Sequence, residues 1–530
     1  MLKFEELYIH ANGKALVNRI SFEIKRGEII GLVGESGSGK SLTCLSVLSL
    51  LPENLSTEGN ITYTDSNDKT FELLHMDSKM RSEFALKKIA YIFQEPLTAL
   101  NPVQTCGKQL LENIDLCETT GKNNLQKAKD LLLQVELKDT GKILNSYPFQ
   151  LSGGQRQRVM IAMAMAGNPD LIIADEPTTA LDVIIQDDIL SLLRKLCKEH
   201  NRSVLLVSHD LDAVQQFADR IAVMYKGELV EIGESERVIR NPKHIYTKAL
   251  LACKPKVENL GYHLQTLADF NNDKVVEPIA FQKEIISEHR IASLSHVGKV
   301  FLNKGNAFHA LKDISFELLK GRSTGLIGES GSGKSTISKL MVQLESSSSG
   351  SLKFDFENGK SISSNIQMIF QDPFAALNPA LTVKNMLLEV IQKHQGLNKN
   401  AALIEAGQLM LKVGLNNDDL YKYPNQFSGG QRQRLCIARA LAVKPKLLIC
   451  DESTSALDLS VQAQILNLLK TLQLSEQLSI LMVTHSMAVA AWFCSYLIVL
   501  KDGNIIEQGE TENLIKNPID VYTKAMVSHV

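Results

Sequence analysis

The sequence predicts an α/β protein made of two tandem domains, each with a mainly parallel core sheet, an antiparallel β subregion and a helical subdomain. Three observations carry that expectation. The 530 residues exceed what one hydrophobic core organises. Aromatic residues make up only 6% of the chain, with a single tryptophan, Trp492, and this aliphatic balance suits helices packed on a parallel sheet. The chain also repeats itself. LSGGQRQR followed by LIIADEPTTALD (Leu151 to Asp182) returns as FSGGQRQR followed by LLICDESTSALD (Phe427 to Asp458).

The repeat has a nearly constant offset. Ser152 and Ser428, Asp175 and Asp451, His209 and His485, and Asn241 and Asn517 each lie 276 positions apart, whereas Lys40 and Lys334 lie 294 apart. All but one position of the difference accumulates between each lysine and the glutamine that follows it: 54 positions from Lys40 to Gln94, 37 from Lys334 to Gln371. The second copy is therefore expected to be shorter in its antiparallel strands and their turns. The repeat sets domains at 1–252 and 291–530, with a linker at 253–290. That linker mixes charges of both signs with Asn and Gln, as a partly ordered connector does, and it is long enough to let the domains face one another.

Taken in order, Arg19–Ile24 and Glu28–Val33 read as short strands. A glycine-rich turn follows, then a helix from Lys40 to about Leu51, stopped by Pro52. Helix-rich inserts span Val103–Tyr147 and Leu381–Tyr423. The Met-rich run Met160–Ala166 has Cys436–Ala442 at the same repeat position, so core packing explains it better than a cofactor does. One segment could mislead: Gln477 to Leu500 holds no Asp, Glu, Lys or Arg and is long enough to span a bilayer. Its counterpart carries Asp210, Asp212, Asp219 and Arg220, and one fold position cannot be soluble in one copy and intramembrane in the other. Ser479–Ser486 therefore reads as a buried strand ending in a loop, followed by a helix and a strand at Tyr496–Leu500, with no membrane span.

Composition excludes several classes. Lys and Arg (57) nearly balance Asp and Glu (59), leaving no electrostatic footprint for nucleic acid, no acidic tail and no polybasic patch. The eight cysteines are scattered without a C-x-x-C pair, which suits reduced thiols rather than disulfides or zinc. The opening MLKFEELYIH carries acids and no apolar stretch, unlike a secretory signal.

The chemistry lies in paired motifs. GESGSGKS occurs as Gly34, Glu35, Ser36, Gly37, Ser38, Gly39, Lys40 and Ser41, and again as Gly328, Glu329, Ser330, Gly331, Ser332, Gly333, Lys334 and Ser335. Each follows an apolar strand and opens a helix, the context in which backbone N–H groups and a helix N-terminus cradle the phosphates of ATP. Lys40 and Lys334 are expected on the β/γ oxygens, and Ser41 and Ser335 on Mg2+. LIIADE and LLICDE end in acid pairs whose side chains, on a strand, point oppositely. Asp175 and Asp451 are assigned to the Mg2+ shell, and Glu176 and Glu452 to polarising the attacking water as general bases. An isolated Asp-Glu needs nothing beyond solvation at a strand end. Two of them, 135 positions after Lys40 and 117 after Lys334, call for more. Ser152 and Ser428 read as N-caps, with the following glycines presenting N–H groups to an anion.

Together these motifs resemble the ATP-binding-cassette ATPases over nearly the whole chain. The resemblance implies two ATPs held head to tail between the cassettes. Ser428, Gly429, Gly430 and Gln431 would complete the site of Lys40 and Glu176, and Ser152, Gly153, Gly154 and Gln155 the site of Lys334 and Glu452. His209 and His485 match the family's switch histidine, which contacts the γ-phosphate and orients water. Gln94 and Gln371 match its Q-loop residue, which touches metal and water. Phe301 matches the aromatic that stacks on adenine; in the first half Ala11 falls at that position, with Tyr8 nearby as a substitute or stacking lost. Departures include Ser453 for Pro177 and Ser486 for Asp210, and Cys253 stands without the cluster that an iron–sulfur centre would need.

LNP after each Q-loop (Leu100–Pro102, Leu377–Pro379) and NP…YT near each end (Asn241–Thr247, Asn517–Thr523) are similar to the ATPases of oligopeptide, dipeptide and nickel importers, including the microcin C type. This implies two membrane permease subunits and, indirectly, a periplasmic solute-binding protein as partners. It also implies a peripheral place on the cytoplasmic face of a bacterial inner membrane. A soluble two-cassette ATPase acting on ribosomes is the alternative, though such proteins typically have long, charged, helical connectors. A DNA-repair ATPase would need zinc-binding cysteine pairs.

Overall fold

The computed structural model describes residues 1–65, 67–117, 123–178, 183–273, 277, 279–303, 306–356, 359, 361–454 and 457–528. The chain divides into two compact units, Met1–Leu251 and Ala252–Val530, the connector grouping with the second. The last four residues of LIIADEPTTALD, 179–182, lie outside the described residues.

In the first unit a six-stranded sheet runs Glu228–Glu234, Arg220–Tyr225, Ile29–Val33, Ser203–Ser208, Leu171–Asp175, Ile89–Ile92 from edge to edge. The last five strands are mutually parallel, and Glu228–Glu234 pairs antiparallel at the edge. The second unit repeats that order with Asn504–Glu510, Tyr496–Lys501, Ser323–Ile327, Ser479–Thr484, Leu447–Asp451 and Ile366–Ile369. Strands such as IIGLV and LLICD are buried along their whole length. That is why they read as unbroken apolar runs rather than as an alternating pattern.

The antiparallel subregion accounts for the unequal spacing. The first unit has four strands, Lys14–Ile24, Leu2–Ala11, Leu55–Thr64 and Thr70–Glu72, followed by a helix at Ser78–Lys88. Among the described residues of the second there are three, Asn306–Leu319, Arg290–Asn303 and Ser349–Phe354, and a helix of only Ile362–Asn365. Helices Cys106–Cys117, Asn124–Gln134 and Thr140–Asn145 build the first helical insert, and Val383–Gln395 and Lys399–Lys412 the second. Met160, Met165 and Cys436 are buried, as core packing requires.

The helix after the first phosphate loop is shorter than expected, Lys40–Leu48. Ser49 takes a left-handed conformation (φ 61°) and returns its N–H to Leu45 O, so the chain leaves the helix before Leu51 and Pro52. The charge-free run of the second half is a strand (Ser479–Thr484), a seven-residue helix (Met487–Phe493) and a strand (Tyr496–Lys501). No helix among the described residues is long and apolar enough to cross a membrane.

The connector packs onto the second unit through specific bonds. Trp492 Nε1 donates to the carbonyls of Asn259 (3.1 Å) and Tyr262 (3.2 Å), and Asn467 brackets the backbone of Leu264. Phe281 meets Trp492 edge-on at 5.8 Å and stacks on His263 at 3.8 Å. Glu284 reaches deepest. Its carboxylate accepts from Lys470 Nζ (2.6 Å), Ser495 Oγ (2.8 Å) and Ser323 N (3.3 Å).

In the first unit Asp219 supplies that carboxylate from its own sheet, accepting from Ile29 N at 2.8 Å. Strand register makes the two cases equivalent, since Ile30 pairs with Arg220 and Thr324 with Tyr496, which puts Ser323 at the position of Ile29 and Ser495 at that of Asp219. The second sheet thus carries serine where the first carries aspartate, and the connector provides the missing acid.

Candidate active site

Each phosphate loop joins the carboxyl end of a central buried strand to a helix. Gly39 and Gly333 stand before the lysines with φ 100° and 109°, where a side chain would be strained, and a Cβ on Gly333 would lie 2.8 Å from Ala310 O. Lys40 Nζ donates to Gly34 O (2.7 Å) and Glu35 O (2.9 Å), and Lys334 Nζ to Gly328 O (2.7 Å) and Glu329 O (2.8 Å). Both ammonium groups are thereby centred in their loops. Ser38 Oγ and Ser332 Oγ are buried there without a hydrogen-bond partner, donors that fit a phosphate oxygen.

The carboxylate pairs follow at the end of the next strand but one. Asp175 Oδ1 accepts from Ser41 Oγ at 3.2 Å, and Asp451 Oδ1 from Ser335 Oγ at 3.5 Å. Burial raises both acids above their usual range. Asp175 also accepts from Tyr91 OH at 2.7 Å, which opposes the rise. The equivalent residue three places before the second glutamine is Met368, which offers no such donor. With burial and the neighbouring Glu452 both acting on it, the Asp451 carboxyl is pushed up to about 6.

The glutamates diverge from the aspartates for a reason other than strand alternation. Both strands end at the aspartate, and Glu176 and Glu452 adopt left-handed backbones, φ 47° and 46°. Such a conformation is uncommon for a side-chain-bearing residue and costs of order 1 kcal/mol or more. It swings each glutamate away from the aspartate and toward the glutamine and histidine. Gln94 Nε2 donates to Glu176 Oε2 at 3.0 Å and Gln371 Nε2 to Glu452 Oε2 at 2.9 Å. His209 Nδ1 lies 3.2 Å from Glu176 Oε2, and His485 Nδ1 lies 3.7 Å from Glu452 Oε1. The Glu452 carboxyl sits below its usual range, chiefly because of His485, with burial opposing and Lys334 (3.9 Å) adding its charge.

The signature segments form capping boxes. Ser152 Oγ accepts from Gln155 N (3.3 Å) while Gln155 Oε1 accepts from Ser152 N (3.1 Å), and Ser428 and Gln431 repeat the pair at 3.4 and 3.0 Å. The helices start at Gly153 and Gly429, whose N–H groups have no acceptor within the helix. Gly154 and Gly430 are needed for close packing: a Cβ would meet Ile185 at 2.9 Å and Val461 at 2.4 Å.

Ser486 does the work of Asp210, since each caps the next helix, through Val489 N (3.3 Å) and Ala213 N (3.4 Å) respectively. Phe301 pairs with Phe308 in the second hairpin, and Ala11 occupies the same register opposite Lys14. The Tyr8 ring lies on the neighbouring His10 at 6.0 Å. Tyr91 is a site residue that sequence reasoning passed over, although its place three residues before Gln94 was a visible cue.

Comparison with known proteins bears on these motifs. A family model described as ABC transporter matches residues 17–179 and 311–455, and one described as Oligopeptide/dipeptide transporter, C-terminal region, matches residues 230–271. The Glutathione import ATP-binding protein GsiA of Escherichia coli (strain K12) is 38% identical over 542 residues, covering 97% of this chain and 86% of that protein. Its namesake in Salmonella paratyphi A is 38% identical over 550 residues, covering 98% and 88%. Among solved structures, the archaeal ribosome recycling factor aABCE1, in complex with the ribosomal stalk protein aP1, has a TM-score of 0.59. That likeness covers 93% of this chain and 87% of the other at 19% identity, and shows the fold alone.

Proposed function

The chain belongs to the ABC transporter family, and we propose that its two halves are the ATP-hydrolysing engine of an importer for peptides or peptide-like solutes. It binds ATP and is an ATPase. The observation that carries the import reading is 38% identity, over 97% of the chain, to a relative named as a glutathione import ATP-binding protein. The match of residues 230–271 to an oligopeptide/dipeptide transporter region supports the same solute class.

In this reading the loop N–H groups, Lys40 and Lys334 bind the phosphates, and Phe301 stacks on adenine in the second half. Glu176 and Glu452 take a proton from the attacking water, with His209 and His485 orienting it and Gln94 and Gln371 steering each carboxylate. Ser41 with Asp175 (3.2 Å) and Ser335 with Asp451 (3.5 Å) would hold Mg2+ through hard oxygen donors, and Gln94 and Gln371 would add an amide oxygen as the family resemblance implies. When bound, the ion neutralises charge on the β- and γ-phosphates. Each signature segment would close on the γ-phosphate held by the other half. Two permease subunits, and through them a solute-binding protein, would be the partners at the cytoplasmic face of the membrane.

The ribosomal alternative has only a fold likeness at 19% identity in its favour. Purification of the tagged chain from detergent-solubilised membranes separates the two readings. Recovery of stoichiometric permease subunits is expected, and recovery of ribosomal subunits instead would overturn the import reading. Growth of a deletion strain on defined peptides and toxic peptide analogues then addresses the solute.

A further inference from the structure

The NP…YT segments mark a branch of the family in sequence, and in the structure they reach the nucleotide site. Tyr246, second residue of the helix Ile245–Ala252, places its hydroxyl where Glu35 N donates to it at 3.1 Å. Tyr522, second residue of the helix Val521–Val527, receives Glu329 N at 3.0 Å. Glu35 and Glu329 are the second residues of the phosphate loops, and their carbonyls accept from Lys40 and Lys334 alongside those of Gly34 and Gly328. One peptide unit on each side of the glutamate is thus held: its N–H by a phenol, its C=O by the loop lysine.

The phenol is itself fixed from behind. Glu231, on the edge strand Glu228–Glu234, accepts from the backbone N–H groups of Lys243 (3.0 Å) and His244 (3.0 Å) just ahead of Tyr246. Glu507 does the same for Ile519 (3.0 Å) and Asp520 (3.1 Å) ahead of Tyr522. The Tyr246 ring stacks on Tyr225 at 4.1 Å, whereas Tyr522 lies under Lys501 Nζ at 4.7 Å. The ring environments differ between the halves, yet the hydroxyl-to-loop bond is the same. A packing role alone would not preserve the oxygen in two different surroundings.

We propose that Tyr246 and Tyr522 are positioning residues that hold the phosphate loops in their nucleotide-binding shape through their phenol oxygens. The inference rests on the ATPase reading of the site and not on the choice of solute. A loop that is competent for only a fraction of the time binds with its affinity reduced by that fraction. One neutral hydrogen bond shifts such an equilibrium by about two- to tenfold.

The test is Tyr246→Phe, Tyr522→Phe and the double variant in the full chain. Each keeps the ring and removes the hydroxyl that accepts from the loop N–H. Binding of fluorescent N-methylanthraniloyl derivatives of ATP, ADP and AMP is measured alongside the melting temperature without nucleotide. The double variant is expected to bind ATP and ADP about two- to tenfold more weakly, with AMP affinity unchanged and a melting temperature within about 4 °C of wild type. ATP and ADP affinities equal to wild type would overturn the proposal, as would a loss shared by AMP or accompanied by a larger fall in melting temperature. Wild-type protein that bound no ATP would instead sink the ATPase reading, so the two failures are distinct.

Discussion

Nδ1 of His209 lies 3.2 Å from Oε2 of Glu176, whereas the corresponding His485 and Glu452 atoms are 3.7 Å apart. Both glutamates also accept from a glutamine and sit on a left-handed residue immediately beyond a buried strand. The two centres are alike in kind and differ in tightness. Backbone strain of this sort is retained where it places a group for chemistry.

Glu176→Gln together with Glu452→Gln should lower ATP turnover by about 10²- to 10⁴-fold, the usual cost of losing a general base. The phosphate contacts remain, so ATP should be retained by the double variant. Steady-state phosphate release and filter retention of labelled ATP measure the two effects. Turnover near wild type would show that neither glutamate is the base.

Asp451 offers a pH signature. Its carboxyl is buried and pushed up to about 6, so the fold favours the protonated form. That contribution is complete below the ordinary carboxylate range near 4 and is lost as pH rises through about 6. Without nucleotide and with EDTA, Asp451→Asn should therefore stabilise the protein increasingly between about pH 4 and 6, levelling off above that at roughly 3 kcal/mol. Asp175→Asn should gain less, because Tyr91 supports the charged form. Melting curves across that range check both, and a pH-independent difference would contradict the assignment.

Glu284→Gln should destabilise the second unit by about 3–5 kcal/mol, the scale for breaking a buried ion pair. Adding Ser495→Asp should recover part of the loss by returning an acid to the position that Asp219 holds in the first unit. Burial alone would raise Glu284, but Lys470 and the serine hydroxyls outweigh it and hold the carboxyl below its usual range. Its contribution is present above that range and disappears as pH falls through the lowered value, so wild type and Glu284→Gln should converge in acid. Urea unfolding of the four variants tests this, and equal destabilisation by Ser495→Asp in both backgrounds would refute the equivalence.

Ser428→Arg should deplete ATP at the Lys40 site, and Ser152→Arg at the Lys334 site, if each signature closes on the other half's nucleotide. Photolabelling with 8-azido-ATP followed by peptide mapping reads the two sites separately. Loss confined to the half that carries the arginine would argue against the exchange.

Much of the site was legible because its motifs are local. A capping box, a loop before a helix and an acid pair after a buried strand all lie within a few residues. What escaped depends on contacts between distant positions or on backbone shape. Strand alternation explained the divergence of Asp175 and Glu176 in outcome but not in cause, since Glu176 lies past the strand in a left-handed turn. Pro52 suggested a helix reaching about Leu51, yet the stop is Ser49, whose left-handed conformation no simple residue rule signals. The NP…YT segments were visible as motifs, but nothing along the chain revealed that Tyr246 meets a residue 211 positions away.

Glu284 makes the segment ahead of the second sheet part of that sheet's interior. The halves are consequently not interchangeable modules. Transposing them, or expressing the later one from its first strand at Arg290, would leave Lys470 facing two serines with no anion between them. A cut meant to free two working pieces belongs upstream of Asn259, where Trp492 first takes hold of the incoming chain.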